Sequence, residues 1–347
     1  MSNKIVRVAD GRMVEVDEVR YSQFERLRPM LAQIWAGDAE LVGRDAQEAL
    51  AFLISQLAYT ESGVFERLYT PMQYEQFLPL SFEAGEWADT IRYEIYDYVG
   101  RGKRQSGRGR DINEVDVAYA DKSFIVALGN IGYSFSQEEL RRTAFLRRPI
   151  SDRKLTAAII GFRRHMNDVG LFGEAASNFT GLFNNALIPQ GNAPVGLWAG
   201  GATTPDQILN DINTLIQNIW VNTAFNDFPT DIVMAPTAFS FISFKPRSTT
   251  SDTTILTYIK NNNIAKAQTG KDINFWPGYG LDTAGVGSTK RMIGYVKDQQ
   301  RLVMHIPLPL RFLAPQLVGF QVQVPGEYKY SGVEVRYPKS AFYMDNL

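Results

Sequence analysis

The chain contains no cysteine and, in 347 residues, only two histidines, His165 and His305. Without cysteine there is no disulfide, thiolate metal site or cysteine nucleophile. Two histidines far apart in sequence give no nitrogen/sulfur ligand cluster. Long apolar runs are missing too: none approaches the roughly 20 residues that cross a bilayer. The N-terminus MSNKIVRVADGRMVEVDEVR lacks the apolar core of a secretory signal. The expectation is a soluble protein made in a cytoplasm and free of membrane. An excess of one charge is also absent, with 36 Lys and Arg against 37 Asp and Glu. That balance argues against a surface built wholly for nucleic acid, but leaves room for a charged local patch.

What is present is globular: 45% hydrophobic and 21% charged residues. The length suits two compact modules, or one core with long extensions. Residues 1–42 read as an irregular arm that needs a partner to order it, because Ile5, Val6, Val8, Val14, Val16 and Val19 alternate only briefly. Residues 45–58 have helical spacing at Ala46, Ala49, Leu50, Leu53, Ile54 and Leu57. Residues 60–88 read as loop with short strands.

Residues 89–128 read as a long β-hairpin. Ile91, Tyr93 and Ile95 alternate with Arg92 and Glu94, and Val115, Val117 and Tyr119 alternate on the return strand. Between them, GRGKRQSGRGRD carries Arg101, Lys103, Arg104, Arg108 and Arg110. A two-stranded ribbon of this length is marginal alone in water and must lie on something else.

Ser136 with Glu139 forms a capping-box pattern for a short helix that stops before Pro149. Ser151 or Asp152 then caps a long helix with an apolar stripe of Leu155, Ala158, Ile159, Phe162, Met166 and Val169. Gly170 reads as its stop, giving a length of about 27 Å at about 1.5 Å per residue. Its polar face carries Arg153, Lys154, Arg163 and Arg164. After a Gly/Asn/Pro-rich stretch, Thr204, Pro205 and Gln207 open another helix, with Ile208, Leu209, Ile212, Leu215, Ile216 and Ile219 as its stripe. Strands are expected at 231–234, 291–296 and 301–306, and a short helix at 252–261. Alternation returns at Phe320, Val322, Val324, Val333, Val335 and Tyr337. The pattern is α+β, without regular βαβ repetition.

The inventory for catalysis is thin. His165 reads as a half-exposed helix residue and His305 as a satisfied histidine in an apolar strand. The carboxylate pairs Glu83/Glu86 and Glu138/Glu139 cannot be set across a cleft from sequence, and the second suits helix capping. GRGKRQSGRG lacks dinucleotide spacing and precedes a strand rather than a helix. Gly278–Lys290 has the look of a phosphate loop but lacks the Gly-Lys-Ser/Thr ending, and reads as a flexible loop between strands. No catalytic, cofactor or metal residue is assigned. The basic hairpin tip admits three readings: phosphate contact, pairing with carboxylates of a neighbouring subunit, or a solvated loop. No aromatic lies within the loop, and Asp111, Glu114 and Asp116 follow it.

This order of parts resembles the major capsid proteins of tailed bacteriophages, whose fold is named for phage Hong Kong 97. GYSFSQEELRR (Gly132–Arg142), TPDQILNDIN (Thr204–Asn213), TSDTTIL (Thr250–Leu256) and VPGEYKYSGVEVRYP (Val324–Pro338) carry the resemblance. It implies an N-terminal arm with the first helix at 1–75, an extended β-hairpin loop at 76–128, a peripheral domain with a spine helix at 129–200, an axial domain at 201–320, and a return to the periphery at 321–347. It also implies no enzyme activity, and self-assembly into hexamers and pentamers of an icosahedral shell. That shell would enclose double-stranded DNA without sequence-specific binding, and would form in the host bacterial cytoplasm as the virion capsid. The arm is too short to contain a scaffolding segment, so a separate scaffolding protein is expected, with a portal and decoration proteins as further partners. Arg101, Lys103, Arg104, Arg108 and Arg110 are then expected at an intersubunit contact. The competing readings are an encapsulin-like nanocompartment shell and a soluble α/β enzyme.

Overall fold

The computed structural model describes residues 4–7, 13–16, 70–104, 114–136, 138–139, 150–198, 203–248 and 250–347. The helix expected at 45–58 lies outside the described residues. The chain divides into Met1–Tyr69 and Thr70–Leu347. In the first unit, β1 (Lys4–Arg7) and β2 (Met13–Val16) form an antiparallel pair with Lys4 opposite Val16. These are the valine-rich alternations of the arm.

The second unit begins with a one-turn helix, α1 (Tyr74–Phe77), and β3 (Leu80–Ser81). The turn was not anticipated, because four residues carry no readable period. Strands β4 (Thr90–Val99) and β5 (Asp116–Ile125) form the expected ribbon, with Thr90 opposite Ile125 and Val99 opposite Asp116. A third ten-residue strand, β6 (Ala127–Ser136), follows at once. It escaped the sequence reading because Gly129 and Gly132 interrupt its alternation. The structure requires both glycines. A Cβ on Gly129 would lie 2.4 Å from the Tyr328 ring, and one on Gly132 would lie 2.8 Å from the Val324 carbonyl oxygen.

Helix α2 (Ile150–Phe172) is the long helix, 23 residues or about 34 Å. It runs past the expected stop. Gly170 is helical and buried, with its missing Cβ making room for Leu78, Tyr74 and Met304. The stop is Gly173, at φ 78°, where the left-handed backbone suits glycine. Ala158, Met166 and Val169 are buried as expected, whereas Ile159 is 39% exposed. On the polar face Arg153, Arg163 and Arg164 are exposed. Lys154 instead turns to the neighbouring strand, donating to Ser134 O and Glu139 Oε2, both at 2.7 Å. The Glu139 amide donates to Ser136 Oγ at 3.0 Å, half of the capping box read there.

Strand β7 (Gln190–Asn192) leads to α3 (Pro205–Asn222), opened by Thr204 and Gln207 in a reciprocal capping box. Next come β8 (Asp231–Met234), α4 (Pro236–Phe244), α5 (Ile255–Asn262), α6 (Ile264–Thr269) and β9 (Asn274–Pro277). Helix α5 starts after the expected 252 because Thr254 caps it, accepting from the Thr257 amide. Then come β10 (Arg291–Tyr295), β11 (Leu302–His305), β12 (Leu308–Phe312), β13 (Gln316–Val318), β14 (Gln321–Tyr330), β15 (Val333–Val335) and β16 (Ala341–Asp345).

A five-stranded mixed sheet runs β7-β16-β10-β8-β9. Strands β8, β10 and β16 are buried along their whole length, which explains their unbroken apolar runs. Helix α3 packs its fully buried Ile208, Ile212, Leu215, Ile216 and Ile219 towards this sheet, and Gly294 of β10 lets Leu215 and Ile219 approach. Asp211 sits in the same stripe, held by the amides of Val195 and Gly196 and by Trp198 Nε1. A second sheet centres on β14, with β6 on one side and β12 and β13 on the other. Helix α2 covers one face of it through Phe162, whose ring centroid lies 4.8 Å from that of Tyr328. A small sheet, β15-β11-β3, completes the unit.

Candidate intersubunit surface

The basic tip sits on a ribbon whose base is tied to the body at several points. Phe124 of β5 stacks on Phe179, centroids 6.2 Å apart and planes 14° from parallel. Arg336 lies over the Tyr93 ring at 5.2 Å. Lys329 pairs with Asp89 at 2.9 Å, and Arg311 bridges Glu86 at 3.1 Å and Glu327 at 2.6 Å. The Val126 amide donates to Asp89 O at 3.0 Å. Exposed ion pairs of this kind contribute about 0–1 kcal/mol each, so the aromatic contacts matter at least as much. Glu86, from one of the carboxylate pairs considered for acid–base chemistry, is thus a strap residue.

Arg336 also donates to Glu334 Oε1 at 3.0 Å, and Glu334 Oε2 lies 2.7 Å from His305 Nε2. Burial alone would push Glu334 up; the hydrogen bonds from His305 and Arg336 outweigh it and hold the carboxyl below the usual glutamate range. His305 is the satisfied strand histidine expected. His165 is partly exposed on its helix, as expected. Its Nδ1 is hydrogen-bonded to the Tyr328 hydroxyl at 2.9 Å, and its Nε2 lies 3.3 Å from Glu174 Oε1. Tyr330 and Ser177 both donate to Glu174 Oε2. These contacts tie α2 to β14. Ser177 donates to the carboxylate rather than to the imidazole, so no nucleophile–base pair is formed.

Away from its base the ribbon is open to solvent on both faces. Tyr98 and Tyr119 are 77% and 74% exposed, and Tyr96, Val99, Val115 and Val117 are exposed with them. At the turn Gly100 has φ 138° and packs on Val115. Arg101, Lys103 and Arg104 follow, all exposed. Arg108 and Arg110 lie outside the described residues. The aromatic content of the strands gave no signal for this surface in the sequence, because an alternating tyrosine reads equally well as inward or outward.

The segment 278–290 does lie between strands, β9 and β10, as read. It is pinned rather than loose: Leu281 is fully buried and the Val286 amide donates to Asp345 Oδ2 at 3.0 Å. Asp345 in turn receives buried Arg291 through Nε at 2.7 Å and Nη2 at 2.9 Å. Among the described residues no three His, Cys, Asp or Glu side chains are grouped to hold a metal, and no helix is long and apolar enough to cross a membrane.

Comparison with known proteins gives this surface its context. No curated protein matches the sequence. The fold is similar to that in the capsid of Myoviridae phage XM1, with a TM-score of 0.71 and 17% identity, covering 84% of this chain and 98% of that one. It is also similar to the capsid of an empty GTA particle (TM-score 0.53, 12% identity, 85% and 97% covered) and to Gordonia phage Cozz (TM-score 0.51, 14% identity, 89% and 96% covered). The α+β arrangement is therefore the Hong Kong 97-like capsid fold. A family model described as major capsid protein matches residues 100–347, more than two thirds of the sequence. A chain with that match, that fold and an arginine-tipped ribbon standing off its body belongs to the major capsid protein family of tailed phages, whose members build the shell of the virion.

Proposed function

We propose that this subunit assembles with copies of itself into hexamers and pentamers of an icosahedral shell around a double-stranded DNA genome, and that the ribbon is the arm by which each copy holds the next. The observation that carries the reading is the ribbon itself. It is ten residues long on each strand, it pairs with no other strand among the described residues, and it exposes Tyr96, Tyr98, Val99, Val115, Val117 and Tyr119 towards its tip. Such a ribbon gains stability only by covering those side chains, and neighbouring copies are the partner a shell supplies. Arg101, Lys103 and Arg104 lie at the end that would reach a neighbour, and Arg108 and Arg110, outside the described residues, are proposed to act with them.

In this reading residues 1–75 act as the arm, 76–128 as the extended loop, 129–200 and 321–347 as the peripheral part, and 201–320 as the axial part. A separate scaffolding protein, a portal and decoration proteins are the remaining partners, and DNA is enclosed without sequence recognition. The role is structural rather than enzymatic. A cargo-holding nanocompartment is the weaker reading, because the matching family is that of phage capsids.

The test is truncation. Joining Ile95 to Ala120, directly opposite each other in the ribbon, through an Asn-Gly turn removes the tip and keeps the base. The truncated chain is expected to fold with an unchanged melting temperature and to yield no closed shells by electron microscopy. Normal shells from it would sink the proposed role of the ribbon.

A further inference from the structure

We propose that the tyrosine face of the ribbon is the seat for the basic ribbon tip of a second copy of this chain. This rests on the reading that the ribbon joins neighbouring subunits, and it names the face and the occupant.

The strand register sorts the ribbon into two unlike faces. One carries Tyr93, Ile95 and Phe124, and its base is committed to the body through Arg336 and Phe179. The other carries Arg92, Glu94, Tyr96 and Tyr98 from β4 and Val117, Tyr119, Asp121 and Ser123 from β5. Glu94 stands directly opposite Asp121. Like charges in that position destabilise an antiparallel pair. Arg92 is the one basic side chain on this face, and among the described residues no ion pair joins it to either carboxylate. The Tyr96 hydroxyl donates to Glu94, which leaves the charge in place. Arg92, Tyr93, Glu94, Tyr119 and Asp121 line an open cavity of about 600 Å³.

The face thus sets two carboxylates against a single cation, Arg92, and offers aromatic rings beside them. A guanidinium suits both, stacking on tyrosine while it pairs with a carboxylate. The tip supplies cations, the Arg104 guanidinium and the Lys103 ammonium, both exposed. A tip that prolongs the ribbon outward is out of reach of its own seat. Glu94 lies five residues before Val99, roughly 17 Å down an extended strand, beyond the reach of an arginine side chain at the turn. The occupant is therefore a second copy. Because tip and seat are different surfaces, the contact is head-to-tail, and each copy gives one tip and receives one, the kind of contact that builds a ring when its rotation closes.

The absence of cysteine makes the contact directly testable. Glu94→Cys and Arg104→Cys subunits are purified separately, mixed, assembled and treated with a short bismaleimide, so that a cross-link between the two positions is intermolecular. A dimer band on a denaturing gel from mixed shells, absent from shells of either variant alone, is expected. In a second arm, Glu94→Lys with Asp121→Lys is expected to lower shell yield at least ten-fold, and adding Lys103→Glu with Arg104→Glu in the same chain to restore it. Normal yield from the first pair, or mixed shells that form without the cross-link, would overturn the proposal. If truncation at Ile95 and Ala120 abolishes shells while the cross-link fails to form, this seat is wrong and the joining role of the ribbon stands. Tip variants that lose DNA from intact shells, with no effect on yield, would instead assign the arginines to phosphate.

Discussion

The Glu334 carboxylate lies 2.7 Å from Nε2 of His305, and both side chains are buried beneath the base of the ribbon. Arg336 completes the group and reaches from Glu334 to Tyr93 of the ribbon. Glu334 is held below the ordinary glutamate range, so its contribution to stability is complete above about pH 4.3 and is lost as pH falls through its lower folded value. Glu334→Gln should cost about 3 kcal/mol at pH 7, the scale for breaking a buried pair from one side. It should also flatten the loss of stability between about pH 5 and pH 3. Urea unfolding of the subunit at both ends of that range reads both effects, and an unchanged midpoint at pH 7 would refute the role given to Glu334.

Gly173 ends α2 at positive φ, and a Cβ there would lie 2.3 Å from the Phe179 carbonyl oxygen and 2.8 Å from the Gly181 amide nitrogen. Backbone cannot yield as a side-chain tip can. Gly173→Ala is expected to destabilise the subunit by at least about 2 kcal/mol, from the left-handed backbone and the clash together. Thermal unfolding decides it, and a wild-type melting temperature would contradict the contact.

The ribbon base depends on Phe124 lying flat on Phe179. In Phe124→Ala, hydrogen exchange should quicken across β4 and β5 while β8 and β10 of the buried sheet keep their protection. Uniform acceleration through the whole subunit would mean that Phe124 supports the global fold and not the ribbon alone.

At the turn from β13 to β14, Phe320 is 82% exposed, and Leu317, Val318 and Leu313 are exposed around it. An apolar group at a hairpin turn marks a contact surface in a chain that meets its own copies. Phe320→Ser should leave urea unfolding within about 0.5 kcal/mol of wild type and reduce the yield of shells. Equal yield, measured on sucrose gradients, would remove this turn from the assembly contacts.

Much of the fold was legible in the sequence because local chemistry wrote it there. Thr204 and Gln207 spell a capping box, and the helix begins where they say. Ile91, Tyr93 and Ile95 alternate, and the ribbon has their period. In strand 231–234 Ile232, Val233 and Met234 form an unbroken apolar run, and the strand is buried on both faces. Other elements depend on distant partners. Gly129 and Gly132 look like breaks until Tyr328 and Val324 are brought over them. Gly170 looks like a stop until Leu78, Tyr74 and Met304 fill the space beside it. Lys154 looks solvated until the Ser134 carbonyl is placed within its reach.

The absence of thiol chemistry, the basic-tipped ribbon and the order of parts of a phage capsid subunit are all written in the residues themselves. Which face of the ribbon base is committed to its own body, and which stays open, follows from folding alone. The reason is physical: a strand's period of two separates its faces but does not say which one meets protein. That choice was made by Phe179 and Arg336, residues far along the chain that take Phe124 and Tyr93 and leave Tyr96, Tyr98 and Tyr119 outside.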